Sequence, residues 1–244
     1  MTSDGTTRYH GHLALDGFDE RSQERLSQAR VLLVGLGGVG SPAVQYLAAA
    51  GIGELRICDF DRVSESNLSR QLLYRQQDVD RPKTEAASEA LKALNPTIKI
   101  TTTRQRIDTD KAADIGGDCT LWLDTSDSWA TRMAINEAAL RCRTPWVMAA
   151  AVRREGQLAL FRPDLGPNEA CYACIYGRAA NTMDDCAGAG VLSTVAGSVG
   201  LAAAQLAINH LIGAPTPRGL QLFDGNSLRW RGVALARDPD CRVC

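Results

Sequence analysis

Short apolar runs alternate with longer amphipathic stretches over the first 150 residues. Arg30-Val-Leu-Leu-Val34 predicts a buried strand that runs directly into glycines. Ser41 to Ala50, with Pro42 in its first turn, predicts a helix. Leu55-Arg-Ile-Cys58 predicts the next strand, with Asp59 at its carboxyl end. Lys83 to Leu94 predicts a helix, set off by Pro82 before it and stopped by Asn95-Pro96. The β-branched segment Thr97 to Thr103 predicts a strand, as does Thr120-Leu-Trp-Leu123, which ends in Asp124-Thr-Ser-Asp127. Trp129 to Arg141 then predicts a helix and Pro145-Trp-Val-Met148 a strand. This alternation implies an α/β fold, a Rossmann-like, mostly parallel sheet with helices on both faces.

After Ala150 the pattern changes. Gly156 to Phe161, Leu220 to Phe223 and Leu228 to Leu235 predict antiparallel strands that extend the fold, with an Ala-rich helix from about Thr194 to Leu211 between them. Neither an internal repeat nor a low-complexity linker divides the chain. One unit is expected, with residues 29–150 as a nucleotide-binding half and residues 151–244 as an elaborated second half.

Composition narrows the class. A formal net charge of −1 argues against a nucleic-acid partner, and 45% hydrophobic content is that of an ordinary globular chain. The longest apolar candidate for a membrane span, Val191 to Ile212, is interrupted by Ser193, Thr194, Ser198, Gln205, Asn209 and His210. The first residues lack the apolar core of a signal peptide. Eight cysteines without an export signal point to a reducing compartment, so a cytoplasmic protein with no membrane partner is expected.

The chemistry concentrates at predicted strand ends. Gly35-Leu-Gly37-Gly38-Val-Gly40 follows the first strand, and Asp59 lies about 20 residues beyond, as in a dinucleotide-binding fingerprint. Alone, these suggest a nicotinamide cofactor. The sequel suits a triphosphate better: Asp61, then Ser66-Asn67-Leu-Ser-Arg70-Gln71, then Arg81-Pro-Lys83 supply cations for phosphates. Asp124 and Asp127 add hard oxygen ligands suited to magnesium bound to those phosphates. A hydride-transfer enzyme would also need an acid in a catalytic position, and the three histidines, at 10, 12 and 210, are terminal or helical.

Cys171-Tyr-Ala-Cys174 and Cys241-Arg-Val-Cys244 stand about 70 residues apart. Two such pairs can wrap a tetrahedral zinc ion, each spanning two corners, and the alternative is two unrelated buried or redox pairs. Four thiolates leave no open coordination position, so the zinc would be structural. Cys58, Cys119 and Cys142 lie in or beside predicted core elements and are expected to pack.

Taken together, these motifs resemble the ThiF/MoeB/HesA family, bacterial relatives of ubiquitin-activating enzymes, over nearly the whole chain from Arg8-Tyr9 to Cys244. Gly156-Gln157 adds a further match, and Asp80-Arg-Pro-Lys83, Ala130-Thr-Arg132 and Leu222-Phe-Asp-Gly225 with Trp230-Arg231 resemble the ThiF branch most. The resemblance implies adenylation, with ATP and magnesium, of the terminal glycine of a ubiquitin-like sulfur carrier ending in Gly-Gly, in thiamine or molybdopterin biosynthesis. It implies that the glycine loop approaches the nucleotide and Asp59 binds the ribose. Asn67, Arg70 and Lys83 would hold phosphates, Asp61, Ser66, Gln71 and Ser128 would complete the site, and Asp127 would hold magnesium, with Asp124 as a further candidate. It also implies a homodimer, carrier binding by residues 151–244, and a sulfur-transfer role for Cys186 in Met183-Asp-Asp-Cys-Ala-Gly-Ala-Gly190, with an idle thiol as the alternative.

Two positions depart from the family pattern. Gly11, in Arg8-Tyr-His-Gly-His12, stands where the family carries an arginine that reaches the partner's ATP, and Ser128 stands where an asparagine is usual. The missing arginine leaves three alternatives: Arg8 or a histidine replaces it, catalysis is weaker, or the activity differs from the family norm. It also encourages a further reading, adenylation of a peptide or specialised carrier. A non-catalytic protein that binds a ubiquitin-like partner is a further alternative, disfavoured by Arg70, Lys83 and Asp127.

Overall fold

The computed structural model describes residues 8–177 and 190–244. It contains helices α1 (His10–Leu13), α2 (Glu20–Gln28), α3 (Gly40–Ala50), α4 (Lys83–Leu94), α5 (Thr109–Gly116), α6 (Trp129–Cys142), α7 (Tyr172–Tyr176) and α8 (Ser193–Ile212). Its strands are β1 (Arg30–Val34), β2 (Glu54–Cys58), β3 (Lys99–Thr103), β4 (Leu121–Asp124), β5 (Trp146–Val152), β6 (Glu155–Phe161), β7 (Leu220–Asp224) and β8 (Arg229–Val233). All eight strands join one sheet in the order β3-β2-β1-β4-β5-β6-β7-β8.

The first five strands pair in parallel and the last three antiparallel, with β5 belonging to both halves. Trp146 of β5 is in register with Trp122 of β4, while Ala150 lies opposite Gln157 of β6. The antiparallel strands therefore extend the nucleotide-type sheet and do not form a separate one. Because β1 continues into β2 on one side and is flanked by β4 on the other, the strand order reverses beside it. That is where an open α/β sheet leaves a crevice outside its carboxyl ends.

Both faces are covered, which explains the unbroken apolar runs of the parallel strands. Leu33, Leu55, Ile57 and Leu123 point to the face occupied by Val44 and Leu47 of α3, Leu91 of α4 and Val199 of α8. Leu32, Trp122, Trp146 and Phe161 point to the other face, against Ala112 of α5, Ile135 of α6 and Tyr172 of α7. Among the described helices, α8 is the one long and apolar enough to cross a membrane, despite its polar interruptions. Here Val195, Val199, Ala203, Leu206 and Ala207 bury it as a core helix.

Candidate active site

Three glycines of the loop, Gly35, Gly37 and Gly38, line the crevice, and sterics assign these and Gly40 different tasks. Gly35 has φ +93°, a left-handed backbone that disfavours a side chain, and a Cβ there would lie 2.9 Å from the Thr125–Ser126 backbone. A Cβ at Gly40 would sit 1.9 Å from the Gly35 carbonyl oxygen, so this glycine lets α3 start tight against the loop. Gly40 does not line the crevice, unlike its expected companions Gly35, Gly37 and Gly38. At Gly37 the nearest atom to a Cβ would be Gln71 Nε2 at 3.9 Å, which leaves open space on the crevice side. Gly38 lies against the aliphatic stem of Arg70.

The crevice has a volume of ≈ 660 Å³ at the carboxyl ends of the parallel strands. Asp59, delivered by β2, accepts the Leu36 backbone N–H at 2.7 Å and the Asp61 N–H at 2.8 Å. Lys83 at the start of α4 donates to Asp61 Oδ2 at 3.0 Å and lies 3.9 Å from Asp59 Oδ2. Burial pushes the Asp59 carboxyl above its usual range, against the pull of Lys83 and the two backbone donors. Lys83 is thus a buried cation between two carboxylates, while the Arg70 guanidinium has no carboxylate partner among the described residues and donates to the Ser66 carbonyl at 3.1 Å. Asn67 turns its Oδ1 to the Ser64 N–H at 3.2 Å and so holds the short turn that presents Arg70 and Gln71. Ser66 bonds with Ser64 Oγ at 3.0 Å and does not line the crevice.

The end of β4 separates the two aspartates. Asp124 is fully buried, in register with Val34 and Met148. Its Oδ1 accepts the Ser126 N–H at 2.9 Å and its Oδ2 lies 3.9 Å from Arg132 Nε. Burial raises the Asp124 carboxyl despite that arginine. Asp127 is exposed and faces the crevice. The carboxylate open to a phosphate-bound cation is therefore Asp127, and Asp124 is an internal partner of Arg132. Ser128 Oγ accepts the Thr131 N–H at 3.4 Å and caps α6, whose first turn forms the adjoining wall.

Two crevice features have no signal in residue spacing. Arg132 lines the wall and donates Nη2 to the Ser126 carbonyl, bracing the loop that carries Asp127. Arg106, in the loop after β3, sits 3.9 Å over the Phe60 ring at the mouth. Only side-chain placement across two strand ends brings them together.

The four paired cysteines converge, with all Sγ atoms within 4.8 Å of one another. Cys171 Sγ lies 3.8 Å from both Cys174 and Cys241, and Cys174 lies 3.5 Å from Cys244. A tetrahedron with Zn–S bonds of about 2.3 Å has edges of about 3.8 Å, so this spacing fits zinc and is far too long for disulfides. Burial works against the Cys241 thiolate, but the Val243 and Cys244 backbone N–H groups outweigh it and bring the thiol down to about 7. Cys58 and Cys119 pack among the residues around Leu32 and Trp122, where burial pushes their thiols up to about 12 and about 11. Cys186 lies outside the described residues. At the amino-terminal end, Arg8 donates to the Leu94 carbonyl at 3.1 Å and His12 Nδ1 lies 3.4 Å from Gln23 Oε1, so both address their own chain.

Comparison with known proteins agrees with this architecture. The ThiF family pattern matches residues 9–243. The chain is 40% identical to the sulfur carrier protein ThiS adenylyltransferase of Escherichia coli K12, covering 97% of this chain and 94% of that protein. It is 39% identical to the molybdopterin-synthase adenylyltransferase of Salmonella typhimurium, over 97% and 95% of the two chains. Among solved structures, E. coli MccB bound to MccA-N7isoAsn superposes with a TM-score of 0.84 at 20% identity, covering all of this chain and 75% of that one, a likeness of fold. The chain belongs to the ThiF family.

Proposed function

We propose that this member of the ThiF family adenylates the terminal glycine of a small ubiquitin-like sulfur carrier ending in Gly-Gly, consuming ATP, for thiamine or molybdopterin biosynthesis. The observation that carries the reading is the crevice itself: an open glycine floor at Gly37, flanked by Arg70, Lys83 and Asp127, in a chain 40% identical to a carrier adenylyltransferase.

The chemistry needs no protein nucleophile in its first half. A carboxylate oxygen of the carrier attacks the α-phosphorus, the bond to the β-phosphate oxygen breaks, and pyrophosphate leaves with its electron pair. Charge develops on phosphate oxygens, so the enzyme contributes position and cations. Arg70, unpaired with any described carboxylate, is available to those oxygens, and Lys83, held by Asp61, would add a second cation. Asp127, with phosphate oxygens, would hold magnesium, which when bound neutralises charge on the leaving group. Asp59 would accept hydrogen bonds from the ribose hydroxyls while its backbone bonds keep it fixed. Residues 151–244 would receive the carrier, and a homodimer is proposed from the family alone.

The test is carrier-dependent exchange of pyrophosphate into ATP with a panel of Gly-Gly-ending carriers. Asp127→Ala should abolish exchange, because it removes stabilisation made in the transition state. Cys186→Ala should leave exchange largely intact, since a thiol can act only on the acyl-adenylate once formed. Loss of exchange in Cys186→Ala with the fold intact would contradict this division of steps. Gly11 favours a second reading, adenylation of a peptide or specialised carrier, and exchange supported only by such substrates would select it.

A further inference from the structure

The cysteine tetrad and the crevice share one helix. The first turn of α6 lines the crevice with Ser128, Thr131 and Arg132. One turn further on the same face, Asn136 is completely buried. Its Oδ1 accepts the Tyr172 backbone N–H at 2.9 Å and its Nδ2 donates to Cys171 Sγ at 3.6 Å. At the other end of α7, Trp129 Nε1 donates to the Tyr176 carbonyl at 3.2 Å. The short helix that carries Cys174 is thus pinned to α6 at both ends. Arg132, four residues before Asn136, braces the Ser126 carbonyl next to Asp127.

We infer that Asn136 is a positioning residue that joins the two sites, holding Cys171 for its metal and coupling metal occupancy to nucleotide binding through the first turn of α6. An amide suits the position because it offers an acceptor to a helix N–H and a donor to a sulfur at once. Donors to metal-bound ligands fix ligand orientation, and their loss commonly weakens metal affinity 10–100-fold. Without metal, α7 loses the anchor that Cys171 and Cys174 share with the 241–244 segment, and α6 loses the support of Asn136 and Trp129. Such coupling is reciprocal: if metal tightens nucleotide binding, nucleotide tightens metal by the same factor. The second half of the inference rests on the crevice being the nucleotide site.

The experiment follows zinc transfer from the full-length, zinc-loaded chain to excess chromogenic chelator, with and without saturating ATP, and ATP binding is read separately by equilibrium dialysis. In the wild type, ATP should slow transfer about 5-fold or more. Asn136→Ala should release zinc on the order of 10–100-fold faster, with the ATP effect gone. Trp129→Phe keeps an aromatic ring, though a smaller one, and removes the N–H that bonds Tyr176. It should release zinc at the wild-type rate without ATP and show a reduced ATP effect, which decides the matter if Asn136→Ala does not fold. Wild-type release that ignores bound ATP, or an unchanged ATP effect in Trp129→Phe, would overturn the coupling. Unchanged release from folded Asn136→Ala would overturn the role at Cys171. If dialysis shows no ATP binding, the reading of the crevice falls, while the release rates still decide the role at Cys171.

Discussion

The Asp59 carboxylate accepts the backbone N–H of Leu36 at 2.7 Å, tying the end of β2 to the glycine loop after β1. Leu36 is fully buried, so its N–H has no access to water once that acceptor is gone. Asp59→Ala should therefore lose about 1–3 kcal/mol of stability, the usual cost of an orphaned buried donor. Asp59→Asn keeps one acceptor oxygen and should lose less, while both variants raise the ATP KM about tenfold or more. Denaturant midpoints and nucleotide titrations separate the two effects, and equal stability losses would contradict the assignment.

The glycine loop should split by position. Gly40→Ala forces a Cβ against the Gly35 carbonyl and should cost about 1–3 kcal/mol or prevent folding. Gly37→Ala meets no close atom and should change stability within about 0.5 kcal/mol, yet raise the ATP KM about tenfold because it fills the crevice floor. Thermal melts and KM values for the two variants check this. Equal destabilisation of both would mean that the open space at Gly37 is not ligand space.

Asp124 gives a signed pH test. Burial raises its carboxyl above the ordinary value of 3.8, so its contribution to stability is fully present below that value and is lost as pH rises through the raised folded value. Asp124→Asn cannot ionise. Its stability relative to wild type should therefore improve as pH rises above the ordinary value of 3.8 and level off once the raised folded value is passed, in urea titrations at each pH. A relative stability that worsens over that rise would mean that Arg132 outweighs burial.

Metal analysis of protein purified without chelator should give one zinc per chain, and well under half an equivalent would contradict the tetrad reading. Cys244→Ser should lower the melting temperature by roughly 5 °C or more, with a smaller effect on nucleotide affinity, since the binding free energy of a structural zinc is folding free energy.

Elements bounded by strong local punctuation were legible in the sequence. Helix α4 runs from Lys83 to Leu94 as expected, because Pro82 begins it and Asn95-Pro96 ends it. Strand β1 keeps its expected bounds because burial on both faces demands an unbroken apolar run. Helix α2 was missed because its charged sequence Glu-Arg-Ser-Gln-Glu-Arg shows little apolar periodicity, although Asp19 caps it through the Ser22 N–H. Helix α7 is too short for any period to show, and tertiary bonds from α6 hold it.

At the site, the sequence identifies chemistry but not orientation. Asp124 and Asp127 are equivalent as carboxylates after a strand, and only the pairing of β4 between β1 and β5 buries the first and leaves the second facing the crevice. Gly40 and Ser66 belong to recognisable motifs, yet packing turns one toward the Gly35 carbonyl and local bonding turns the other toward Ser64. The bond from Asn136 to Cys171 joins residues 35 apart and leaves no trace in either local pattern.

The central claim is that the chain joins adenylate to a carrier's terminal glycine, and intact-mass measurement of the carrier tests it most directly. Incubation with ATP, magnesium and a Gly-Gly-ending carrier should add one adenylate to the carrier, with equimolar release of pyrophosphate. A carrier lacking its last glycine should remain unmodified. An unmodified full-length carrier across the whole panel, in a protein that binds ATP, would contradict the account, and so would equal modification of the truncated carrier.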